Sequence, residues 1–354
     1  MQFRPAYGTL DSILVKLIIQ AGDYSMEYLF APMEGITFAL YRKIHHQLFP
    51  GTAEYYTPFI APDSTGSFKP KYLRELTADR DAGLVVIPQL LASNPDAFNI
   101  TARKLQDLGF DEVNLNAGCP SGTVFSKHKG AGMLNDLSAL DAFLDQVFSS
   151  AEKNGYRISI KTRMGVHSTK EFPPILEIFN RYPLTKLIIH ARDRDGQYKS
   201  IPDLTGFAEA CRNCRCPATY NGNLFSPGHM QQILAAAPEV KSVMVGRGAA
   251  ANPALVRTLT GGETLRCEEL QHFHDMLFDA YRVNGLSTAF TVERMKQLWY
   301  YMHWMFPEAK KEYKALLKAK SDVDYLAAVN MLFRSGKFDS GSCFEGRYCT
   351  SPAE

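Results

Sequence analysis

Residues 157–163 read RISIKTR, 186–190 KLIIH, 218–221 ATYN and 242–246 SVMVG. Each run is short, contains Ile, Val or Thr, and closes on polar residues or glycine, with helix-length stretches between them. Toward the N-terminus, 112–116 (EVNLN), 84–90 (LVVIPQL), 54–59 (EYYTPF) and 28–33 (YLFAPM) follow the same pattern. Mostly continuous apolar runs suit strands covered on both faces, which is where parallel strands sit. Eight strands, each followed by room for a helix and two loops, predict a (β/α)8 TIM barrel over residues 28–260. A doubly wound α/β sheet is the competing arrangement, but no G-x-G-x-x-G follows the first strand.

Past Pro253 the period changes. Leu270, Phe273, Leu277 and Phe278, then Met295, Leu298, Trp299, Met302 and Met305, recur at helical spacing, and Pro307 separates two segments. Residues 261–334 are therefore expected to form a smaller C-terminal helical bundle domain of three or four helices, with Trp299, Trp304 and the methionines as core. The Gly/Ser-rich residues 335–354 read as a disordered, mobile tail. Residues 1–27 read as a leader of undefined role: Asp11 and Lys16 interrupt its apolar stretch, and no signal-peptide cleavage pattern follows.

Composition limits the function. The chain has 354 residues, 45% hydrophobic and 21% charged, with 39 Lys+Arg against 37 Asp+Glu, a net +2. It is too apolar for a disordered protein, and no run approaches the ~20 apolar residues that span a bilayer, so no membrane partner is expected. So small a net charge advertises no nucleic-acid partner; any such surface must be local. Seven cysteines, an odd count, suit a reducing cytoplasm better than a disulfide set.

In a barrel the functional groups lie at the C-terminal strand ends. Those ends carry Pro32 and Met33, Gln89, Asn116 with Cys119 just beyond, Lys161 and Arg163, His190 and Arg192, Asn221-Gly222-Asn223, and Gly246-Arg247. Packing explains any one of them but hardly the set. The last two ends can offer backbone N–H groups to a phosphate, with Arg247 adding a bidentate contact. Tight turns that need glycine explain them equally well. Gln89, both donor and acceptor, suits the amide-like edge of a flavin ring, and Lys161 suits its pyrimidine side. Cys119 lies in a Gly-Cys-Pro turn, where a thiol can be a nucleophile, general acid or metal ligand. No second Cys is close enough in sequence for a local metal site. The triplet Cys211, Cys214 and Cys216 lacks a fourth ligand and falls away from the mouth, so no metal is expected there either.

In this order and spacing, A-P-M-E-G, P-Q-L, N-x-x-C-P-S, K-x-R-x-G, H-x-R, N-G-N and G-R-G resemble the tRNA dihydrouridine synthases over roughly residues 28–330, the opening motif being most similar to bacterial branches. The resemblance implies FMN in the barrel mouth, NADPH or NADH as reductant, and reduction of the 5,6 double bond of specific tRNA uridines. It places the acid that protonates carbon 5 at Cys119; a thiol is largely protonated at neutral pH. It assigns Pro32, Met33, Gln89, Lys161, His190, Asn221, Gly222, Asn223, Gly246 and Arg247 to the cofactor. Asn116, Arg163, Arg192, Arg294 and Lys296 fall to the substrate. The chain departs from the pattern twice. Residues 123–129 (TVFSKHK) replace a small Gly-rich stretch, and Asn223 stands where relatives often carry Asp or Glu. Both bear on substrate and ribityl contacts.

A base inside folded tRNA must leave its stack to reach a cavity, so the RNA must be gripped elsewhere. Between Arg294 and Lys337 nine Lys/Arg stand against four Asp/Glu, +5 in 44 residues. Such a run is often only a solvated helix face; with the resemblance it is expected to meet RNA phosphates. A monomer is expected. The alternative is an FMN barrel oxidoreductase of a free pyrimidine or enone, dihydroorotate dehydrogenase-like or an ene-reductase, which needs no basic domain. A third reading, an RNA-binding protein without activity, is opposed by the intact Cys119, Lys161 and His190.

Overall fold

The structure is a computed structural model and describes residues 26–77, 83–285, 287–342 and Phe344. The expected leader lies outside the described residues except for its last two, of which Glu27 already opens the first strand.

Nine parallel strands form one sheet: β1 (Glu27–Phe30), β2 (Glu54–Tyr56), β3 (Val86–Ile87), β4 (Gln89–Leu90), β5 (Glu112–Ala117), β6 (Arg157–Arg163), β7 (Leu187–His190), β8 (Ala218–Asn221) and β9 (Ser242–Val245). Their spatial order is β3-β2-β1-β9-β8-β7-β6-β5-β4. The expected strand at 84–90 is present but broken at Pro88: β3 pairs with β2, while β4 pairs with β5. These two halves close the ring, so the nine segments trace the expected eight-stranded TIM barrel. Proline has no N–H to give a ladder. Its carbonyl accepts from Asn114 N–H at 2.8 Å, and the next N–H, of Gln89, turns to Thr57 Oγ1 at 3.0 Å.

Side chains alternate across each strand. Tyr28 and Phe30 of β1 face outward into the main core under the helices. Leu29 and Ala31 point inward and form a separate cluster with Tyr56, Ile87, Ile188 and Met244. At the N-terminal end of the strands Lys186 Nζ lies 2.8 Å from both carboxylate oxygens of Glu54. That floor is closed by an ion pair, so access is from the opposite rim.

Four helices follow the barrel: Cys267–Val283, Thr288–Met302, Lys310–Lys318 and Asp322–Phe333. Trp299 is fully buried among them, and its Nε1 donates to Tyr325 Oη at 2.9 Å. The core continues from the barrel into this bundle: Tyr41 and Phe49 pack edge-on against Phe273, with ring centroids 5.5 and 5.7 Å away. The reading of 335–354 as a mobile tail does not hold for its described part. Asp339 N–H donates to Met305 O at 2.8 Å, and Lys337 bridges to Glu312 at 2.9 Å. Phe344 is buried against Phe225, with Tyr301 and Trp304 beside it. The Gly/Ser-rich composition concealed these aromatic anchors. Among the described residues no helix is long and apolar enough to cross a membrane.

Candidate active site

Parallel register sets the polar residues side by side at the C-terminal rim. Gln89 pairs with Asn114, Asn116 with Lys161, Arg163 with His190, and His190 with Asn221. A cleft opens there. Eight of the ten residues expected to hold the cofactor line it: Pro32, Met33, Lys161, His190, Asn221, Gly222, Gly246 and Arg247. Gln89 and Asn223 are buried and are not among its lining.

The amide of Gln89 is held at both ends. Its Nε2 donates to Asn114 Oδ1 and its Oε1 accepts from Asn116 Nδ2, each at 2.7 Å. Asn114 Nδ2 extends the row to Ser159 Oγ at 3.0 Å. At the other end, Asn116 Oδ1 accepts the backbone N–H of Gly118 at 3.1 Å and of Cys119 at 2.9 Å. The amides of Gln89, expected at a ring edge, and of Asn116, expected on substrate, bond here to their neighbours. A buried row of amides runs from Ser159 to the thiol turn. Asparagine and glutamine amides have distinct donor and acceptor ends, so this row specifies every orientation along it. Gly130 closes over the turn at φ +57°, where a Cβ would fall 2.8 Å from Cys119 Cβ. Only glycine fits that backbone and that gap. The Cys119 side chain remains half-exposed.

Lys161 reaches the cleft, and its Nζ makes no hydrogen bond among the described residues. Burial, and then repulsion by Arg163, lowers its pKa to about 7. Burial also holds the His190 imidazole well below the usual histidine range, reinforced by Arg163, Lys161, Arg192 and Arg247. Arg192 Nη1 lies 3.0 Å from His190 Nε2. A guanidinium can only donate, so Nε2 accepts and the ring proton sits on Nδ1. Asn223 Oδ1 accepts from Arg192 Nη2 at 2.8 Å and from Arg247 Nη2 at 2.9 Å. Asn223 therefore braces two arginines from behind the cleft. Glycine at 222 is required by packing: a Cβ would meet Tyr220 Oη at 2.2 Å.

Of the residues expected on the substrate, Asn116, Arg163 and Arg192 gather at the rim, whereas Arg294 and Lys296 lie apart in the bundle. Arg163 is buried; its Nε donates to Gly118 O at 3.0 Å and its Nη1 to Asp193 O at 2.7 Å and Gln197 O at 3.2 Å. It ties the thiol turn to the loop after β7. Arg192 Nε donates to Ser200 O of the same loop at 2.8 Å. Arg294 donates to Gly35 O at 2.9 Å and lies between the rings of Phe38 and Phe290, 3.7 and 4.7 Å from their centroids. Lys296 donates to Ala319 O inside the bundle. Sequence reasoning missed Tyr198, which lines the cleft 4.1 Å below the Arg247 guanidinium and is 49% exposed. Its signal was a lone aromatic in a polar strand-end loop. It also missed Asn114 and Ser159, whose signal was a polar side chain facing inward from a strand.

The cleft thus gathers cationic and N–H donors around an ammonium without a protein acceptor. That donor set fits an anionic, phosphate-bearing ligand whose ring carries hydrogen-bond acceptors. A parallel barrel with this mouth is the site of a flavin-dependent oxidoreductase. More closely, the chain belongs to the dihydrouridine synthase family, whose model matches residues 29–332. A Rickettsia bellii protein named probable tRNA-dihydrouridine synthase is 23% identical over 288 residues, 78% of this chain and 86% of that protein. The tRNA-dihydrouridine(16) synthase of Shigella flexneri is 25% identical over 260 residues, covering 73% of this chain and 75% of its own. Among solved structures, a morphinone reductase variant in complex with tetrahydroNAD aligns with a TM-score of 0.49 at 14% identity, over 69% of this chain and 90% of that one.

Proposed function

We propose that this chain is a tRNA-dihydrouridine synthase that reduces the 5,6 double bond of particular tRNA uridines, with FMN as its flavin and NADPH or NADH as reductant. One observation carries the reading: Cys119, partly buried on a turn fixed by Asn116 and Arg163, lies near enough to Lys161 of the cleft to act on its ionisation, although it is not itself among the cleft's lining. When bound, FMN supplies the hydride for carbon 6 of the uracil. Arg247 and the N–H groups around Gly222 and Gly246 would hold its phosphate, and Lys161 would donate to an acceptor on its ring. Cys119 gives its Sγ proton to carbon 5, and its partial exposure lets solvent replace that proton. Neutral His190, its Nε2 occupied by Arg192, keeps an Nδ1–H available as a donor at the same rim.

The exposed Lys310, Lys311, Lys314 and Lys318 give the helical bundle a face that suits RNA phosphates. A free pyrimidine needs no such face, which favours RNA over the small-molecule alternative. A monomer working in the cytoplasm, where tRNA is processed, completes the reading.

The test uses purified protein, unmodified tRNA and NADPH. The protein should be yellow, release FMN on denaturation and form dihydrouridine at defined positions. Cys119→Ala should keep FMN and tRNA affinity yet lose about 10²–10⁴-fold in turnover, the usual range for a missing general acid. A colourless protein that cannot be reconstituted, or full turnover in Cys119→Ala, would overturn the reading.

A further inference from the structure

The helical bundle holds a second cavity that shares no lining residue with the mouth. Its volume is about 420 Å³, and its walls include His303, Trp304, Phe306 and Tyr313, with the exposed Lys310 among its lining. His303 and Tyr313 stack parallel, with ring centroids 4.0 Å apart. Burial lowers the His303 pKa, so the ring is neutral at physiological pH. Trp304 Nε1 is shielded from solvent and has no hydrogen-bond partner among the described residues.

Two features lead away from this cavity. Lys310, Lys314 and Lys318 are spaced one turn apart on helix Lys310–Lys318 and are all exposed, so they form a cationic stripe that begins at the cavity. In the other direction, Tyr300 lies near enough to Tyr313 to raise its hydroxyl pKa further, after burial. Tyr300 in turn lines a groove of about 1100 Å³ with Tyr301, Arg294, Phe38 and Gly35. Gly35 is two residues past Met33 of the mouth cleft. Positive charge therefore leads out of the cavity along helix Lys310–Lys318.

We propose that this cavity takes one unpaired base of the bound RNA against its aromatic wall, while Lys310, Lys314 and Lys318 meet the flanking phosphates. The inference rests on the tRNA reading above and deepens it. Rings stack on any base face and lysines neutralise the backbone, which is the combination that single-stranded nucleic acid requires. The cavity would be an anchor for the substrate, separate from the site that reduces the target uridine.

The test measures tRNA binding by the flavin-loaded protein across a salt series, together with tryptophan emission. Trp299 is buried and Trp304 walls the cavity, and the chain has only these two tryptophans. Saturating tRNA should quench the Trp304 emission, whereas NADP+ and uridine monophosphate should not. Tyr313→Ala should weaken tRNA binding about tenfold, with an unchanged salt slope and unchanged flavin reduction by NADPH. His303→Leu should do the same, and serves if Tyr313→Ala does not fold. Unchanged tRNA affinity in both variants would overturn the proposal, and so would quenching by NADP+, which does not absorb in the tryptophan emission band, since the cavity would then hold the nicotinamide cofactor. If the unaltered protein bound no tRNA, the proposed function itself would fail.

Discussion

The side-chain oxygen of Asn116 accepts the backbone N–H of Cys119 at 2.9 Å, and its amide nitrogen is fixed by Gln89 at 2.7 Å. The thiol's position is therefore set two residues deep in the barrel wall. Removing Asn116 leaves two backbone donors and the Gln89 oxygen without their partner, at about 1 kcal/mol or more each. Asn116→Ala should retain flavin but lose about 10–100-fold in uridine reduction. The alkylation rate of Cys119 by iodoacetamide should change as well. An alkylation rate equal to that of the unaltered protein would show that the turn holds itself.

Lys161 should couple flavin binding to proton uptake. Its pKa is lowered to about 7 from 10.5, chiefly by burial. An acceptor placed against Nζ favours the ammonium form and raises that pKa. Between roughly pH 7.5 and 10 the free protein is mostly deprotonated at Lys161 and the loaded protein is not, so close to one proton should be taken up. Calorimetry in two buffers of different ionisation heat reads this directly. Lys161→Met should abolish the difference, and equal heats in the unaltered protein would argue against it.

His45 should dominate part of the acid instability. Its Nδ1 lies 2.8 Å from Tyr55 Oη and its Nε2 3.0 Å from Pro253 O. Burial lowers its pKa from 6.5 to about 3. The unfolded chain binds this proton first, so stability is full above pH 6.5 and falls as pH drops toward 3, by on the order of a few kcal/mol. His190, lowered for the same reason, steepens the same limb. Urea unfolding at pH 7 and pH 4.5 should show a smaller loss in His45→Gln than in the unaltered chain; equal losses would remove His45 from the account.

Replacing Lys310, Lys311 and Lys314 together by alanine should weaken tRNA binding and flatten its salt dependence. For every phosphate that is no longer neutralised, the slope of log K against log salt should become shallower by about 0.9. Oxidation of NADPH by the flavin should be unaffected. An unchanged slope would move the RNA to another face.

The strands and the rim were legible because both rest on periodicity and residue type. Eight of the residues expected to hold the cofactor were named from strand ends, and they line one cleft. What could not be read was the direction in which a polar side chain is used. Arg163 and Arg192 look like ligand-binding residues by type, but Arg163 donates to carbonyls of loops remote in sequence, and Arg192 to His190, Asn223 and Ser200. The bond between Gln89 and Asn116 was hidden for the same reason, since a one-dimensional pattern does not show that they face each other. Pro88 split a strand whose apolar run looked continuous, and Phe344 anchored a segment whose average composition looked loose.

Asn223 holds Arg192 and Arg247 in place without cancelling the charge of either. A carboxylate at that position would join the same two guanidiniums and cancel one of their two charges. With an amide instead, the mouth keeps its field, and field lines leaving a low-dielectric cleft draw polyanions in before any contact is made. How often an RNA finds this opening then depends on one nitrogen standing where an acid would have oxygen.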